Sequence, residues 1–393
     1  MIWDNELRAE LEALDRVGLT RRLATLESAT GPRAMLDGRD VLMFGSNNYL
    51  GLAGDPRVRE AAIAATQELG VGSGGSRLLS GNLTANRDLE ADIAAFKGCP
   101  AAVIFASGYA ANVGSISALV GRGDLVVSDA LNHASIIDGC RLSRAETRVY
   151  LHADVSSAAE ALSTDRGSFR RALIVTDGVF SVDGDIAPLA DLCELAHAHS
   201  AALYVDDAHG VGVLGDGGRG TANHAGIEDD VSLIQMGTLS KAFGSVGGYV
   251  AASDAVVETL RQRARALTFS HGLPAAALSA AQRSLQILRD KPSLVTTLRD
   301  RSSRLREGLR ERGLRVNHGE TPIVPVVVGD ADAATRLAAE CLARALYAPA
   351  IRPPTVPDGT SRIRLSVIAT HTDDDIDRAV DIVATSAREA GIA

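Results

Sequence analysis

Seven short apolar runs alternate with helical stretches along the first two thirds of the chain, and this alternation constrains the fold more than any other feature. Helical stretches of ten or more residues separate most of the runs, a pattern typical of a mostly parallel sheet with helices on both faces. The runs are almost continuously apolar, as burial of both faces of a strand requires. We therefore predict an α/β fold with a seven-stranded sheet, its strands lying at 102–107, 125–129, 148–152, 172–178, 202–207, 233–237 and 247–252.

Towards the C-terminus the pattern changes to long helices with only two strand-like runs, IVPVVVGD and RIRLSV. The last helix is predicted to begin at Thr372, whose three following aspartates favour the positive helix end. This pattern of long helices with few strands predicts a smaller α+β domain over 276–393, after a large domain over 51–275. Residues 1–50 are predicted to form an N-terminal segment with a helix over 6–27 and a short strand. The other C-terminal helices are predicted at 275–289, 293–312 and 331–346.

Composition and charge limit the partners of the protein. The 393 residues carry a net charge of −9 without a basic block, which argues against nucleic acid as the main partner. The longest uncharged stretch, Gly98 to Gly121, contains proline, serines and glycines, so a strand, a turn and a helix start explain it better than a membrane span. The charged N-terminus lacks the apolar core of a signal peptide. The sequence therefore predicts a cytoplasmic protein with no membrane or nucleic-acid partner.

Cysteines, glycine-rich motifs and a histidine pair are candidates for disulfide, nucleotide or metal sites, but the sequence around them argues against each. Four separated cysteines form no CxxC pair, which is typical of reduced core thiols. Two G-x-G-x-x-G matches begin at Gly70 and Gly210, but neither follows a strand and opens a helix as a dinucleotide site requires. His197 and His199 would point in different directions on a helix. The sequence predicts no metal site, and a nucleotide-binding oxidoreductase is kept only as the rival class.

A lysine stands out in the stretch GTLSKAFG at 237–244, because the chain has three lysines against thirty-seven arginines. Of these two side chains, only the lysine amine can deprotonate and attack a carbonyl. Lys97 and Lys291 lie at predicted helix ends, where positive charge is favourable. Lys241 instead lies in a loop of small residues after a strand, and such a backbone suits close approach to a ligand. Lys241 is therefore a candidate nucleophile.

Ionisable side chains also follow the preceding strand, in the stretch DDAHG at 206–210. Open parallel sheets bind ligands at the carboxyl ends of their strands. An aspartate there and a lysine after the next strand match pyridoxal phosphate chemistry, since the amine forms a Schiff base and the carboxylate keeps the pyridine nitrogen protonated. The phosphate would bind where Ser107 and Gly108 open a helix, and the His133 imidazole could cover the ring.

The segments around these residues resemble the α-oxoamine synthases, a branch of the fold-type I pyridoxal phosphate enzymes. The resemblance covers nearly the whole chain, and the motifs follow the order of the family. It implies a fold-type I transferase that binds pyridoxal 5′-phosphate in its large domain and forms a homodimer with the active site at the interface. The matching segments are SNNYLGL (46–52), GSGGSRLLSGN (72–82), SGYAANVG (107–114), NHASIIDG (132–139), DGVFSVDGDIAPL (177–189), VDDAHGVGVLGDGGRG (205–220) and GTLSKAFGSVGG (237–248).

The resemblance implies the residues of the reaction centre. Lys241 would form the Schiff base and accept the Cα proton, and Asp206 would pair with the pyridinium nitrogen. His133 would stack on the ring. The phenolic oxygen would bind His209, with Ser181 nearby.

The resemblance also implies how the phosphate is held. Gly108, Tyr109 and Thr238 would bind it, at the helix that Ser107 opens. Ser270 would reach the phosphate of the partner subunit. In the run TFSHGLPA, His271 replaces a hydroxyl residue that is common in the family.

Within the family, the C-terminal run IRPPTVPDGTSRIRLSV is most similar to the members that join L-alanine to a pimeloyl thioester in biotin biosynthesis, releasing CO2 and the thiol. That similarity implies that Arg364 binds the amino-acid carboxylate and that Thr355, Arg352 and Arg21 lie on the acyl side. Arg22 is adjacent, and the sequence leaves open which of the two arginines faces the site. It also leaves open whether the acyl carrier is CoA or a carrier protein. Members that use glycine and acetyl-CoA, or another acyl-CoA, stay the alternative.

Overall fold

The computed structural model describes residues 2–16 and 18–392. Helices occupy much of this part of the chain and cover both faces of a central sheet. The helices are α1 (Asp4–Arg16), α2 (Pro56–Leu69), α3 (Thr84–Lys97), α4 (Gly108–Leu119), α5 (Ala134–Ser143), α6 (Val155–Ser163), α7 (Leu189–Ala198), α8 (Thr221–His224), α9 (Asp254–Arg263), α10 (Arg265–Thr268), α11 (Ala275–Asp290), α12 (Ser293–Glu311), α13 (Ala331–Ala343) and α14 (Asp373–Glu389).

The strands of the described residues form three sheets. The strands are β1 (Arg33–Leu36), β2 (Arg39–Met43), β3 (Ala101–Phe105), β4 (Leu125–Asp129), β5 (Glu146–Tyr150), β6 (Ala172–Asp177), β7 (Ala202–Asp206), β8 (Leu233–Thr238), β9 (Gly248–Ala252), β10 (Ile323–Gly329), β11 (Leu346–Tyr347), β12 (Ala350–Ile351) and β13 (Ser361–Ser366). Two sheets have three strands each, in the orders β1-β2-β11 and β10-β13-β12.

The largest sheet has seven strands in the order β3-β9-β8-β7-β6-β4-β5. Strand β9 runs antiparallel to both of its neighbours, and all the other pairs are parallel. The predicted seven-stranded, mostly parallel sheet is therefore confirmed. Strands β6, β7 and β8 are adjacent and parallel, and Asp177 pairs in register with Asp206. Their carboxyl ends consequently bring side chains from distant parts of the sequence to one edge of the sheet.

Helix α1 is shorter than the sequence predicted. The structure ends it at Arg16, so the predicted helix over 6–27 is wrong for its second half. The cause is a left-handed Gly18 (φ 66°), which brings the N–H of Leu19 onto the carbonyl of Leu14, the arrangement that closes many helices. Helix α13 likewise ends before 346, because β11 begins there and pairs with β2.

Apolar side chains form a core on each face of the large sheet and a third cluster that continues into the C-terminal sheet and helices. The predicted smaller α+β part is present. Helix α12 packs on β10, helix α13 packs on β10 and β13, and helix α14 packs against both of these helices. Helix α14 begins as predicted, with Thr372 and Asp375 in a reciprocal capping box. No helix of the described residues is both long and apolar enough to cross a bilayer. The domain boundaries at 50 and 275 stay a prediction.

A buried histidine joins the N-terminal strands to the C-terminal part. His371 stacks on Phe44 at 4.2 Å between ring centroids and accepts the N–H of Ile368 on Nδ1. Its Nε2 must then carry the proton that it donates to the carbonyl of Met43 at 3.2 Å. Burial lowers the pKa of His371 to about 4, so the folded protein holds this imidazole neutral.

We expect this histidine to make stability depend on pH. Its pKa is about 4 in the folded chain and 6.5 when unperturbed, so only the unfolded chain binds the proton between these values. Stability should therefore be full above pH 6.5 and fall by on the order of 3 kcal/mol towards pH 4. Urea midpoints across this range measure the slope. His371→Gln, which can still donate and accept, should flatten it, and an equal slope in the variant would contradict the assignment.

Candidate active site

The predicted site residues converge at the carboxyl edge of the large sheet. Asp206 ends β7, Lys241 lies in the loop after β8, and His133 caps the N-terminus of α5 after β4. The charge of Asp206 favours a higher pKa of His133, and the charge of Lys241 favours a lower one. Lys241 also lowers the pKa of His209. These four side chains therefore share one electrostatic environment, although His133 and Lys241 lie 108 residues apart in the sequence.

A tight loop holds Lys241. The N–H of Leu239 donates to the carbonyl of Gly247 at 2.9 Å, and the N–H of Gly244 donates to the carbonyl of Lys241 at 3.0 Å. Gly244 has φ 59°, and a Cβ there would lie 2.3 Å from the backbone nitrogen of Ala53. Only glycine fits this turn, which the two hydrogen bonds close around the lysine.

The buried position of Lys241 disfavours the protonated, positively charged form of its amine. Burial lowers its pKa to about 8, although Asp206 and Asp177 oppose the change. Within residues 2–16 and 18–392, no hydrogen bond or ion pair is formed by its Nζ. The amine is therefore available for covalent chemistry at a pH near neutrality.

Asp206 is held by two donors from the protein. Its Oδ1 accepts the N–H of Ala208 at 2.9 Å, and its Oδ2 accepts Nδ2 of Asn112 at 2.6 Å. Such donors stabilise a carboxylate. The neighbouring Asp177 is different, because burial and the charge of Asp206 raise its pKa well above the usual range. The site therefore favours the protonated form of Asp177.

The imidazole of His209 is neutral and oriented. Burial, together with the positive charges of Lys241 and Arg364, lowers its pKa well below the usual range. Its Nδ1 lies 2.7 Å from the hydroxyl of Tyr49. Arg364 donates to Asn47 at 3.0 Å and reaches the same tyrosine hydroxyl at 3.4 Å. Asn47 and Tyr49 therefore belong to the site. The sequence placed them in a matching segment but gave them no role.

Small residues form the candidate phosphate pocket. Ser107 caps helix α4 by accepting the N–H of Ala110 at 3.0 Å. A Cβ on Gly108 would lie 3.5 Å from Oγ1 of Thr238, so these two predicted residues are adjacent. Oγ1 of Thr238 also lies 2.8 Å from the Ser240 hydroxyl. Tyr109 uses its hydroxyl to bind Asp138 at 2.6 Å, which leaves only the rest of the residue for a phosphate.

The predicted acyl-side residues form a separate group near the N-terminal segment. Arg352 donates to the carbonyls of Gly18 and Thr20, the latter at 3.1 Å. Its own carbonyl accepts the N–H of Thr355. Arg21 and Arg22 are both exposed, so the structure does not choose between them. Arg352 thus holds the segment that carries these arginines.

Two predicted residues lie in loops without a polar contact to the reaction centre. Ser181 is half-buried in the loop after β6, and no hydrogen bond of its side chain is found among the described residues. Ser270 lies beside His271, which forms a bridge with Ser76 of the glycine-rich loop. Their roles stay predictions.

Lys97 has a partner that the sequence did not reveal. It ends helix α3 as predicted, but its amine is buried and pairs with Asp207 at 2.7 Å. It also donates to the carbonyl of Arg219. The other oxygen of Asp207 accepts the N–H and hydroxyl of Thr221. This network fixes the loop that leaves β7 directly beside Asp206 and His209, so Lys97 supports the site rather than a helix end.

We expect Lys97→Met to destabilise the protein by ~3–5 kcal/mol, because it leaves the buried Asp207 carboxylate without its counter-ion. Urea unfolding would measure the loss. Adding Asp207→Asn to Lys97→Met should restore more than half of it. Arg87→Met, in the exposed pair with Asp88, is the matched control and should change little. A single Lys97 variant as stable as this control would refute the prediction.

A family profile described as aminotransferase class I and II matches residues 39–383. The chain belongs to this family. Its resemblance to the α-oxoamine synthase branch, predicted from the sequence, is also confirmed. The 8-amino-7-oxononanoate synthase of Symbiobacterium thermophilum is 47% identical over 98% of this chain and 97% of its own. The protein of the same name from Geobacter sulfurreducens is 48% identical over 98% and 99%.

Several solved structures are also similar to this chain. Serine palmitoyltransferase from Sphingomonas wittichii has a TM-score of 0.91 and 35% identity, over 99% of this chain and 98% of its own. A further structure, described as SPT with a PLP internal aldimine, has a TM-score of 0.92 and 33% identity, over 100% of this chain and 98% of its own. An 8-amino-7-oxononanoate synthase from Francisella tularensis has a TM-score of 0.77 and 30% identity, over 90% and 99%.

The residues of this chain fit pyridoxal phosphate, the cofactor of the family. Lys241 offers an unpaired amine, and Asp206 offers a carboxylate for a protonated ring nitrogen. Arg364 has a buried Nε without a partner among the described residues. A buried donor left unpaired is costly, so this atom is suited to an anionic group that enters the site.

Proposed function

We propose that this protein is an 8-amino-7-oxononanoate synthase, which joins L-alanine to a pimeloyl thioester and releases CO2 and the thiol, in biotin biosynthesis. The observation that carries the proposal is the unpaired Lys241 amine of lowered pKa beside Asp206. The full-length similarity to proteins of that name supports the choice of substrates.

Pyridoxal phosphate supplies the aldehyde that binds amines and a ring that withdraws electrons from the substrate Cα. Arg364 orients the alanine carboxylate through its guanidinium, whose Nε has no partner among the described residues. Lys241, with a pKa of about 8, is neutral in a substantial fraction of molecules near neutral pH, so its Nζ can accept the Cα proton. In the bound cofactor, Asp206 would hold the ring nitrogen protonated, and neutral His209 would donate to the phenolic oxygen without adding a charge.

A product assay tests this function. The purified protein is incubated with pyridoxal phosphate, L-alanine and pimeloyl-CoA, and in parallel with glycine and acetyl-CoA. Mass spectrometry should detect the decarboxylated amino ketone from the first pair. Product from glycine and acetyl-CoA alone would replace the proposal by a glycine C-acetyltransferase. A pimeloyl carrier protein in place of the CoA ester shows which carrier is used.

We also infer that a second copy of the chain covers the site. Val71, Leu78 and Leu79 in the glycine-rich loop are 81%, 70% and 83% exposed, and Phe269 beside Ser270 is 75% exposed. The bridge between Ser76 and His271 holds these two segments together, so their apolar side chains form one surface. Monomeric proteins rarely expose such surfaces. In a homodimer, Ser270 would reach the phosphate of the partner subunit.

Sedimentation velocity tests the dimer. We expect Leu79→Asp to shift the protein towards monomer and to weaken cofactor binding at the same time. Val231→Asp changes an equally exposed apolar residue elsewhere (93% exposed) and should leave a dimer. A monomeric parent protein that retains full activity would contradict the inference.

A further inference from the structure

Behind the site, a chain of buried polar side chains connects Asp206 to His133. Asn112 on α4 donates one amide hydrogen to Asp206 and one to the hydroxyl of Ser135, at 2.6 and 2.8 Å. The Ser135 hydroxyl lies 2.6 Å from Nδ1 of His133. Asn112 and Ser135 are each 1% exposed, so water does not compete for these hydrogen bonds.

The direction of each bond in this chain is determined. The backbone N–H of Ser135 points at Nδ1 of His133 from 3.3 Å, and a backbone N–H can only donate. Nδ1 therefore accepts and carries no hydrogen. The Ser135 hydroxyl, at 2.6 Å, must then donate to Nδ1 as well, so it accepts its own bond from Asn112.

The orientation of the Asn112 amide is fixed independently. Tyr204 on β7 is fully buried, and its hydroxyl donates to Oδ1 of Asn112 at 3.0 Å. The amide nitrogen is left facing the carboxylate of Asp206, which can only accept while it is ionised. A flipped amide would place its oxygen against that carboxylate, so a single arrangement satisfies every member.

Two consequences follow for His133. Because Nδ1 accepts the N–H of Ser135 and carries no hydrogen, the ring is neutral and its hydrogen is on Nε2. The lowered pKa of His133 agrees with this state. Because Nδ1 already accepts from the first turn of α5, the ring also has a fixed orientation. Nε2–H is then the only polar group of the ring without a partner among the described residues, and it can only donate. The nearby proton acceptor is therefore Lys241.

We propose that Asn112 and Ser135 are positioning residues that hold His133 as the Nε2–H tautomer and couple its orientation to the Asp206 carboxylate. The meaning of this role rests on the proposed function, since His133 and Asp206 face the cofactor in that reaction. The arrangement itself belongs to the protein and can be measured without turnover. The proposed arrangement can therefore be found wrong even if the proposed function is right, and the reverse also holds.

Nitrogen NMR of the pyridoxal phosphate-loaded protein, labelled with ¹⁵N-histidine, tests the tautomer. The His133 signals are identified by their absence in His133→Gln. We expect a pyridine-type shift for Nδ1 and a pyrrole-type shift for Nε2. A pyrrole-type Nδ1, or an averaged pair of shifts, would overturn the proposal. If the protein binds no pyridoxal phosphate, the proposed function fails, and the same spectrum of the free protein still decides the tautomer.

Variants test the two positioning residues. Ser135→Ala should raise the Nδ1–H population of His133 several-fold and lower kcat about tenfold, the effect of one hydrogen bond, with little change in KM for the amino acid. Asn112→Leu should also shift the visible absorbance of the bound cofactor, because Asp206 loses a donor. Ser143→Ala is the control, since this buried serine on α5 bonds only its own helix end. Ser135→Ala values equal to the control would overturn the role of Ser135, whether or not Asn112→Leu folds.

Discussion

Lys241→Ala should abolish turnover, by at least roughly 10⁴-fold, since removal of a covalent nucleophile has effects of that size. The physical reason is that the variant has neither the amine that binds the cofactor aldehyde nor the base that accepts the Cα proton. The purified parent protein should be yellow and should become covalently labelled after borohydride reduction. The variant should show neither property.

Two further lysine variants separate chemistry from charge and from general damage. Lys241→Arg keeps a positive charge but has no amine that deprotonates near neutrality, and it should be as inactive as the alanine variant. Lys291→Ala changes the C-cap of α11, away from the site, and should retain full activity. Turnover by either Lys241 variant near the parent rate would remove this lysine from the mechanism.

Asp206→Asn should slow exchange of the alanine Cα proton by about 100- to 1000-fold, in the range measured for loss of one preorganised electrostatic contact. The amide is isosteric, so its oxygen can still accept one of the two present donors, the N–H of Ala208 or the amide of Asn112, but it cannot balance a protonated ring nitrogen. Proton exchange is measured by NMR in deuterated buffer without the acyl substrate. This isolates the first half of the reaction from the condensation.

Asp177→Asn is the matched control, because Asp177 lies beside Asp206 in register on β6. Burial and Asp206 raise the pKa of Asp177 well above its usual range, so an amide imitates the protonated group that is already there. Its oxygen can still accept the N–H of His133. We expect a much smaller change in exchange rate than for Asp206→Asn. Equal losses of exchange rate in the two variants would show that the effect comes from disturbing this edge of the sheet and not from removing the charge of Asp206.

The sequence revealed the sheet and the candidate reacting residues because their signals are local. A strand of buried residues is visible as an apolar run, and Lys241 is visible as a lysine in a loop of small residues. Asp206 follows a strand directly, so the position of its carboxylate at the edge of the sheet needs no knowledge of distant contacts.

The partners of those residues could not be predicted, because they depend on separations that the sequence does not encode locally. Lys97 and Asp207 are 110 residues apart, and Asn112 and Asp206 are 94 apart. A lysine at a helix end and an asparagine inside a helix look ordinary until the sheet brings them to their carboxylates. The end of α1 was missed for a similar reason, because the spaced leucines continue past Gly18 while the backbone does not.

The loop that carries Lys241 joins two neighbouring antiparallel strands, β8 and β9, and closes with the hydrogen bond between Leu239 and Gly247. The backbone that carries the amine is therefore held in place, and in the proposed reaction it would keep Nζ close to the substrate carbon. Intramolecular groups held in this way act with effective molarities of roughly 10⁵–10⁸ M. No dissolved amine reaches such a concentration. Methylamine added to Lys241→Ala should consequently restore only a small part of the proton transfer, however well it enters the site.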